Sequence, residues 1–254
     1  MEISIITATY NSEKTIQKTI NSILNQTLRG FEYVIVDGKS NDLTLEIVLK
    51  NEQRFKESNI SFKYISEKDK GIYDAWNKGV NISTGNWISF LGSDDWYVED
   101  AIEKYLEKIR QLNTGCDLVY SNVNLIRGDK VIKFINGNWT WSNFKRFMNI
   151  AHVGAFHSRK YFEKYGLFDE GYKVAGDYEL LLRAKENLQT QKLDFTSAFM
   201  LDGGVSNSNI NIALKEAFKA KNKTGGVPYI LCYYDDIIAK FKNYSKKGLN
   251  ASKR

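Results

Sequence analysis

Residues that staple or anchor small proteins are scarce in this sequence. Its 254 residues include two cysteines, Cys116 and Cys232, and two histidines, His152 and His157. Cysteines so far apart in sequence exclude a disulfide scaffold and a CxxC zinc knuckle, and two histidines disfavour a His-rich metal site. A chain of this length buries a core without such staples, so we expect one globular domain with a small extension.

Long apolar runs are also missing, and so is a charge excess over most of the chain. No run reaches the roughly 18 residues that a membrane-spanning helix needs, and the opening MEISIITATYN lacks the basic and apolar regions of a signal peptide. The net charge of +6 is carried by residues 213–254, where ten Lys and Arg accompany three Asp and Glu. We therefore expect a cytoplasmic protein whose nearly neutral body disfavours nucleic acid as a partner.

What the sequence does contain is an alternation of buried strands and amphipathic helices. Apolar runs and helical spacing predict the strands 3–9, 31–36, 60–65 and 87–91 and the helices 15–28, 43–55, 72–81 and 101–112. The second half predicts a hairpin (117–124 and 130–136), a strand (193–200) and the helices 159–165, 177–186, 210–221 and 229–244. These units predict an α/β fold with a mostly parallel central sheet flanked by helices.

Three polar clusters follow predicted strands, at the edge where open parallel sheets bind ligands. They are Thr9-Tyr10-Asn11, Asp37-Gly38 and Ser93-Asp94-Asp95. Taken alone, Asn11 favours a helix cap, and Asp37 is equally consistent with an ordinary turn and with a nucleobase or ribose contact. Adjacent carboxylates repel each other unless a cation lies between them, so the third cluster favours a divalent metal held together with phosphate oxygens.

Two further patterns bear on function. Neither GxGxxG nor GxxxxGK[ST] follows the first strand, which disfavours dinucleotide binding, P-loop chemistry and a nucleotidyltransferase. Asp177, in GDYEL (176–180), stands at the start of a predicted helix. A helix cap and a carboxylate poised to accept a proton are both consistent with that position.

Taken in order, five motifs resemble those of family 2 inverting glycosyltransferases with the GT-A fold. They are SIITATYN (4–11), VDGKSNDLT (36–44), EKDKGIYDAWNKG (67–79), FLGSDD (90–95) and FDE followed by AGDYE (168–170 and 175–179). The resemblance covers roughly residues 2–206. It implies a GT-A glycosyltransferase domain over 1–206 and a helical, basic extension over 207–254.

The resemblance also implies a role for each matching residue. Asp177 would be the general base and Asp95 would coordinate Mn²⁺ or Mg²⁺, while Asp94 would contact ribose or metal-bound water. The residues implied to hold the nucleotide-sugar are Thr9, Tyr10, Asn11, Asp37, Asp69, Lys70 and Asp94. His152 matches a histidine of this subgroup and would contact acceptor or diphosphate, although a structural hydrogen bond is the commoner role of such a residue. The loop 203–206 resembles a segment that closes over the donor.

The implied activity is that of a metal-dependent, inverting hexosyltransferase. It would move a sugar from a nucleotide-diphosphate sugar, with UDP favoured, to a hydroxyl of a saccharide acceptor, expected to be lipid-linked. The pathway implied is bacterial surface polysaccharide biosynthesis (O-antigen, capsule or lipopolysaccharide). Two alternatives stay open: a catalytically silent sugar-nucleotide-binding relative, which the intact aspartates disfavour, and a nucleic-acid-binding protein, suggested by a pI near 9.0.

The C-terminal segment has two interpretations. Residues 229–244 carry an apolar stripe of Ile230, Tyr234, Ile237, Phe241 and Tyr244, with lysines at 240, 242, 246 and 247. One interpretation is a helix packed on the body with a solvated basic end, begun by the single proline at position 228. The other is a peripheral contact with the inner face of the cytoplasmic membrane, where basic residues are attracted to anionic lipid.

Overall fold

A computed structural model describes residues 1–112, 115–204 and 210–251, with side chains as far as Phe241. The nine strands in these residues are β1 (Ile3–Thr9), β2 (Glu32–Asp37), β3 (Ser61–Ser66), β4 (Trp87–Phe90), β5 (Trp96–Tyr97), β6 (Leu118–Arg127), β7 (Lys130–Ile135), β8 (Ala155–Ser158) and β9 (Thr190–Leu201). The ten α-helices in the same residues are α1 (Ile16–Leu24), α2 (Thr44–Lys50), α3 (Glu52–Glu57), α4 (Ile72–Ile82), α5 (Ala101–Gln111), α6 (Trp141–Phe144), α7 (Arg159–Tyr165), α8 (Gly176–Leu182), α9 (Ile210–Lys223) and α10 (Tyr229–Ala251).

All nine strands form one sheet in the order β3-β2-β1-β4-β8-β6-β9-β5, with β7 paired to β6. The first four strands are parallel, β8 is antiparallel to both β4 and β6, and β9 runs parallel to β6. Strands β5 and β7 are antiparallel to their neighbours. Six of the nine strands therefore run in one direction, which confirms the predicted mostly parallel α/β sheet.

The apolar strands sort their side chains between two cores. Every residue of β2 is buried, because helices cover both faces of the sheet. On one face, Ile5 and Ile35 lie in a cluster with Ile16 and Ile20 of α1. On the other face, Ile6 and its strand neighbours pack in a second cluster that includes α4 and α8. The amphipathic spacing seen in the sequence thus fixes which helix lies on which side of the sheet.

The predicted helix 43–55 is wrong as a single helix, because the chain breaks into α2 and α3 at Asn51. The Asn51 side chain donates to the Ile47 carbonyl at 2.8 Å and accepts from Arg54. Such local side-chain bonds compete with the helical hydrogen bonds of the backbone. The helix predicted over 177–186 likewise ends early, at Leu182, and a 3₁₀ turn follows at 185–187.

The C-terminal helices pack on the body through α8 and through Arg146, which follows α6. Asp235 of α10 is fully buried, where it pairs with Arg146 and lies 3.4 Å from Lys221 of α9. Pro228 directly precedes α10, and its carbonyl accepts the first helical N–H groups, from Leu231 and Cys232. Within the described residues, no helix combines the length and the apolar character required to cross a bilayer.

Candidate active site

The three polar clusters predicted from the sequence lie together at the carboxyl edge of the sheet. Thr9 at the end of β1 is in register with Asp37 at the end of β2, and the Gly38 N–H donates to the Thr9 carbonyl at 2.9 Å. The Ser12 hydroxyl lies 2.9 Å from the Ser93 hydroxyl, which joins the loop after β1 to the loop after β4. Parallel pairing of β1 with both β2 and β4 is the reason for this convergence.

The loops that follow β1, β2 and β3 bring Thr9, Tyr10 and Asp69 together around Gly38, and we call this group of residues the polar pocket. The Thr9 side chain is buried, and its hydroxyl has no hydrogen-bond partner among the described residues. Tyr10 is 57% exposed at the rim. The Asp69 carboxylate lies so close to Gly38 that a Cβ there would clash with Asp69 Oδ2, and burial raises the pKa of Asp69. A polar ligand would therefore supply partners that this pocket lacks.

Asp37 and Asn11 shape this pocket through their hydrogen bonds with the chain. Asp37 is buried and accepts from the Ser40 hydroxyl at 2.5 Å and the Ser66 hydroxyl at 2.6 Å. Asn11 has a left-handed backbone (φ 49°), and its side-chain oxygen accepts from the Asn41 N–H. Both residues hold neighbouring loops in place, and direct contact with a nucleotide stays a prediction for each.

Lys70 connects this pocket to the segment that leads into α8. Its side chain is exposed, and Nζ lies 3.1 Å from the Glu170 carboxylate. The hydrogen bond and charge of Glu170 raise the pKa of Lys70. The ion pair joins two of the motifs that are about one hundred residues apart in sequence.

The carboxylates of Asp94 and Asp95 approach the same glycine. A Cβ on Gly92 would lie 2.7 Å from Asp95 Oδ2 and 3.0 Å from Asp94 Oδ1. Asp95 Oδ1 accepts from the Leu201 N–H at 3.0 Å, and its carbonyl accepts from the Thr19 hydroxyl at 2.8 Å. Burial, and then the charge of Asp94, raise the pKa of Asp95. A cation would relieve both the burial of these charges and their mutual repulsion.

The carboxylate oxygens at Asp94 and Asp95 would supply only part of the coordination shell of a hard divalent cation. Across residues 1–112, 115–204 and 210–251, no group of three or more His, Cys, Asp or Glu side chains encloses a metal position. The two aspartates would thus hold Mn²⁺ or Mg²⁺ only if other oxygens complete its coordination shell. Phosphate oxygens and water commonly do so for Mg²⁺.

Asp177 is at the start of α8, where Tyr73 of α4 contacts it. The Tyr178 N–H donates to Asp177 Oδ1 at 2.8 Å, and the Tyr73 hydroxyl approaches the same oxygen at 3.4 Å. Since these bonds reach Oδ1, the second oxygen is the one suited to accept a proton. Burial raises the pKa of Asp177 to about 6, and the charge of Glu216 acts in the same direction.

Gly176 is required by the close approach of Tyr73. A Cβ at position 176 would lie 2.7 Å from two atoms of the Tyr73 ring, and the Gly176 N–H donates to the Tyr73 hydroxyl at 2.7 Å. In the sequence, Gly176 had no signal of its own beyond its place directly before Asp177. Tyr73, within the GIYDAWNKG motif, was likewise given no role, and Glu216 carried no sequence signal because its partners lie about forty residues away.

His152 lies in an aromatic cluster rather than in an open cleft. Its ring stacks on Phe90 at 5.1 Å between centroids and lies 5.0 Å from both Trp76 and His157. Burial lowers the pKa of His152 well below its usual value, so the ring is neutral at pH 7. Neither ring nitrogen of His152 has a hydrogen-bond partner among the described residues, and its contact with acceptor or diphosphate stays a prediction.

Two predictions fall partly outside the described residues. Gly203 and Gly204 follow β9, but positions 205–209 are not described, so closure of the 203–206 loop over a donor is untested. The boundary drawn between 206 and 207 lies in the same interval. For the lysine-rich end of α10, side chains beyond Phe241 are not described either.

Comparison with known proteins finds a family whose model matches the chain, relatives similar over most of their length, and solved structures of similar fold. The model of glycosyl transferase family 2 matches residues 4–164. A PGL/p-HBAD biosynthesis glycosyltransferase of Mycobacterium bovis is 33% identical over 220 residues, which are 82% of this chain and 80% of that protein.

Solved structures with the same fold are more distant in sequence. S. aureus TarS 1–349 in complex with UDP-GlcNAc has a TM-score of 0.69 at 20% identity, over 91% of this chain and 69% of that one. The mannosyltransferase PcManGT from Pyrobaculum calidifontis, in complex with GDP-Man and Mn²⁺, has a TM-score of 0.66 at 14% identity, over 96% and 75%. These similarities confirm the GT-A architecture.

Proposed function

The chain belongs to glycosyl transferase family 2, and from that premise we propose a specific activity for it. It moves a sugar from a UDP-sugar to a hydroxyl of a saccharide acceptor, with inversion at the anomeric carbon and with Mn²⁺ or Mg²⁺ bound. The acceptor is lipid-linked, and the product is part of a bacterial surface polysaccharide.

One observation carries the proposal: a polar pocket and a pair of carboxylates lie side by side at one sheet edge. The pocket holds the unpartnered Thr9 hydroxyl and the Asp69 carboxylate, groups that would bond a nucleobase or ribose. The pair, Asp94 and Asp95, is tied to it through the Ser12–Ser93 contact. A nucleoside diphosphate is a ligand with both a polar nucleoside and a metal-binding phosphate. The ligands of TarS and PcManGT, UDP-GlcNAc and GDP-Man with Mn²⁺, support the same ligand class.

The chain's own residues would act as follows. Asp95 would hold the cation, and Asp94 would contact ribose or a water on the cation; when bound, the cation would neutralise charge that develops on the departing diphosphate. Asp177 accepts the proton of the acceptor hydroxyl through its free oxygen while Tyr73 holds the other. The acceptor oxygen attacks from the side opposite the nucleotide, so the anomeric centre is inverted and no covalent sugar–enzyme bond is needed.

The exposed face of α10 supports a lipid-linked acceptor. Seven of its large apolar side chains are between 46% and 76% exposed and, at 100° per residue, span about 200° of the helix; they are Tyr229, Ile230, Leu231, Tyr233, Tyr234, Ile237 and Phe241. The buried residues Cys232 and Asp235 lie on the opposite side. Lysines follow at 242, 246 and 247 in the sequence. An anionic lipid surface matches both the apolar face and the basic segment, at about 1 kcal/mol per basic residue.

Calorimetric titration with UDP, in the presence and absence of Mn²⁺, tests the donor and metal assignments together. We expect UDP to bind more tightly with Mn²⁺, and GDP and dTDP to bind more weakly than UDP. Metal-dependent binding of GDP instead would replace the donor assignment and keep the metal site. No binding of any nucleotide under either condition would overturn the proposal.

A further inference from the structure

The segment that leads into the proposed base is held by an unusual set of hydrogen bonds. Glu216 of α9 accepts three backbone N–H groups: from Lys173 at 2.8 Å through Oε1, and from Val174 and Ala175 at 2.8 and 3.0 Å through Oε2. The next N–H, of Gly176, is bound by the Tyr73 hydroxyl. Four consecutive amides before Asp177 are therefore fixed by side chains from two other helices.

These amides need partners from outside α8. The first N–H groups of any helix have no acceptor within it, and side chains commonly supply one. Here the acceptor is a carboxylate, and charge-assisted hydrogen bonds are stronger than neutral ones. Three such bonds on one carboxylate restrict both the position and the rotation of residues 173–175, and hence the direction in which α8 begins.

Helix α9 is itself anchored beside this segment. Ala217, next to Glu216, packs against the core cluster that contains α8. Lys219 Nζ lies 4.0 Å from the centroid of the Tyr172 ring. Directly after α9, the Thr224 hydroxyl donates to Glu179 at 2.9 Å. The contact of Glu216 is thus part of a docked interface, so its carboxylate has a fixed location.

We infer that Glu216 is a positioning residue for the reaction, because its carboxylate sets the backbone that presents Asp177 to the acceptor. The inference rests on the proposed role of Asp177 as the base. It means that the C-terminal extension, in which Glu216 lies, completes the catalytic site rather than only extending the domain.

The carboxylate of Glu216 has a second, electrostatic consequence. The titratable side chains that act on Asp177 are Tyr73 from α4 and Glu216 from α9, and the charge of Glu216 raises the pKa of Asp177. Removing that charge while keeping the geometry should move the acid limb of activity to lower pH. A residue with only a structural role would leave the acid limb where it is.

Three variants separate geometry from charge. Glu216→Gln keeps a carbonyl oxygen for two of the three N–H groups and removes the charge, and Glu216→Ala removes both. Glu107→Gln, on the exposed side of α5, is the matched control for loss of a glutamate charge on a helix. The readout is UDP release from UDP-N-acetylglucosamine with Mn²⁺ present and water in place of the acceptor.

For Glu216→Ala we expect kcat to fall about 10- to 100-fold, since small displacements of a catalytic group cost factors of this size. The KM for the donor should stay within about twofold, because the polar pocket is formed by the loops after β1, β2 and β3. Glu216→Gln should retain kcat at pH 8 within about threefold, with its acid limb shifted to lower pH. Wild-type kcat and an unmoved acid limb in both variants, or a loss confined to KM, would overturn the inference.

Hydrogen exchange provides a readout that needs no substrate. In Glu216→Ala, peptides over residues 172–180 should exchange at least about tenfold faster, while peptides over β1 and β2 should be unchanged. Unchanged exchange at 172–180 would overturn the inference whatever the activity shows. If the wild type releases no UDP, UDP-N-acetylglucosamine is not its donor, and the exchange result still decides the role of Glu216.

Discussion

At the scale of single residues, the candidate base depends on a raised pKa. Burial places the pKa of Asp177 at about 6, so the carboxyl is protonated below that pH and ionised above it. A general base acts only in its ionised form. We therefore expect kcat, measured at saturating Mn²⁺, to be constant near pH 8 and to fall about tenfold per pH unit as the pH drops below about 6.

Asp177→Asn is the companion measurement, because it keeps the side-chain shape and removes the titrating group. Transfer should fall about 10²- to 10⁴-fold, and the acid limb near pH 6 should vanish from the residual rate. Asp129→Asn, in the exposed turn of the β6–β7 hairpin, should leave both unchanged. An acid limb near pH 6 that persists unchanged in Asp177→Asn would show that Asp177 is not the titrating base.

Gly176 provides a test of the contact between Tyr73 and α8. An added Cβ would meet the Tyr73 ring at 2.7 Å, and that ring is confined by Trp76 and Phe168. Gly176→Ala should therefore lower the free energy of unfolding by about 1–3 kcal/mol, as overpacking does, and also reduce kcat. Urea denaturation measures the change in stability.

The matched control for this substitution is Gly204→Ala, where no atom of the described residues lies within 4 Å of the added Cβ. Its free energy of unfolding should stay within about 0.5 kcal/mol of the wild type. Equal stability of Gly176→Ala and the wild type would mean that the Tyr73 ring moves freely, and that it does not hold the base.

At the scale of elements, the sequence predicts the long strands and helices that have a regular apolar pattern and misses the short strands. Strands β1 to β4 and helices α1, α4 and α5 were predicted within a few residues, because buried runs and amphipathic spacing are local signals. Strand β8 (AFHS, 155–158) was missed, since four residues carry no period, although it connects β4 to β6 in the sheet. Strand β5 has two residues and exists only through pairing with β9.

Helix α10 presents its own prediction at this scale. If its exposed apolar face binds anionic lipid, Ile230→Glu and Tyr234→Glu should each reduce cosedimentation with phosphatidylglycerol vesicles several-fold, because a charge replaces buried apolar area. Both side chains are exposed, at 76% and 58%, so the fold should be unaffected. Phosphatidylcholine vesicles should bind all forms weakly.

The control for the helix is an acidic substitution on an exposed face elsewhere. Gln53→Glu on α3 adds the same charge to an exposed position and should leave vesicle binding unchanged. Binding of the wild type to neither kind of vesicle, or equal binding by all variants, would rule out the membrane contact and favour α10 as a helix with another partner.

At the scale of the whole molecule, the candidate site is made by contacts that a sequence does not display. The motifs at Thr9, Asp37 and Asp95 were recognisable because each lies at or just after the end of a strand, and parallel pairing brings strand ends together. Tyr73 contacts Asp177 from an element about one hundred residues away in sequence. Glu216 binds the segment just before Asp177 from about forty residues away. No local pattern encodes such distances, so the support of the base was visible only in the folded chain.

At the same scale, the donor and metal assignments predict that UDP and Mn²⁺ together stabilise the folded chain. Ligand that binds only the folded chain adds about 2.7 kcal/mol at one hundred times its Kd. For a chain of this size that corresponds to a rise in Tm of about 5–10 °C. We expect this rise with UDP and Mn²⁺ together, measured by thermal denaturation, and a clearly smaller one with UDP alone or after chelation with EDTA.

Two variants test which aspartate is responsible for the rise in Tm. Asp95→Asn should lose the Mn²⁺-dependent part, whereas Asp177→Asn, which lies outside the polar pocket, should keep the full rise. The same rise in Tm with and without Mn²⁺ in the wild type would contradict the metal site. An equal loss of the rise in both variants would contradict the assignment of Asp95 to the donor side and of Asp177 to the acceptor side.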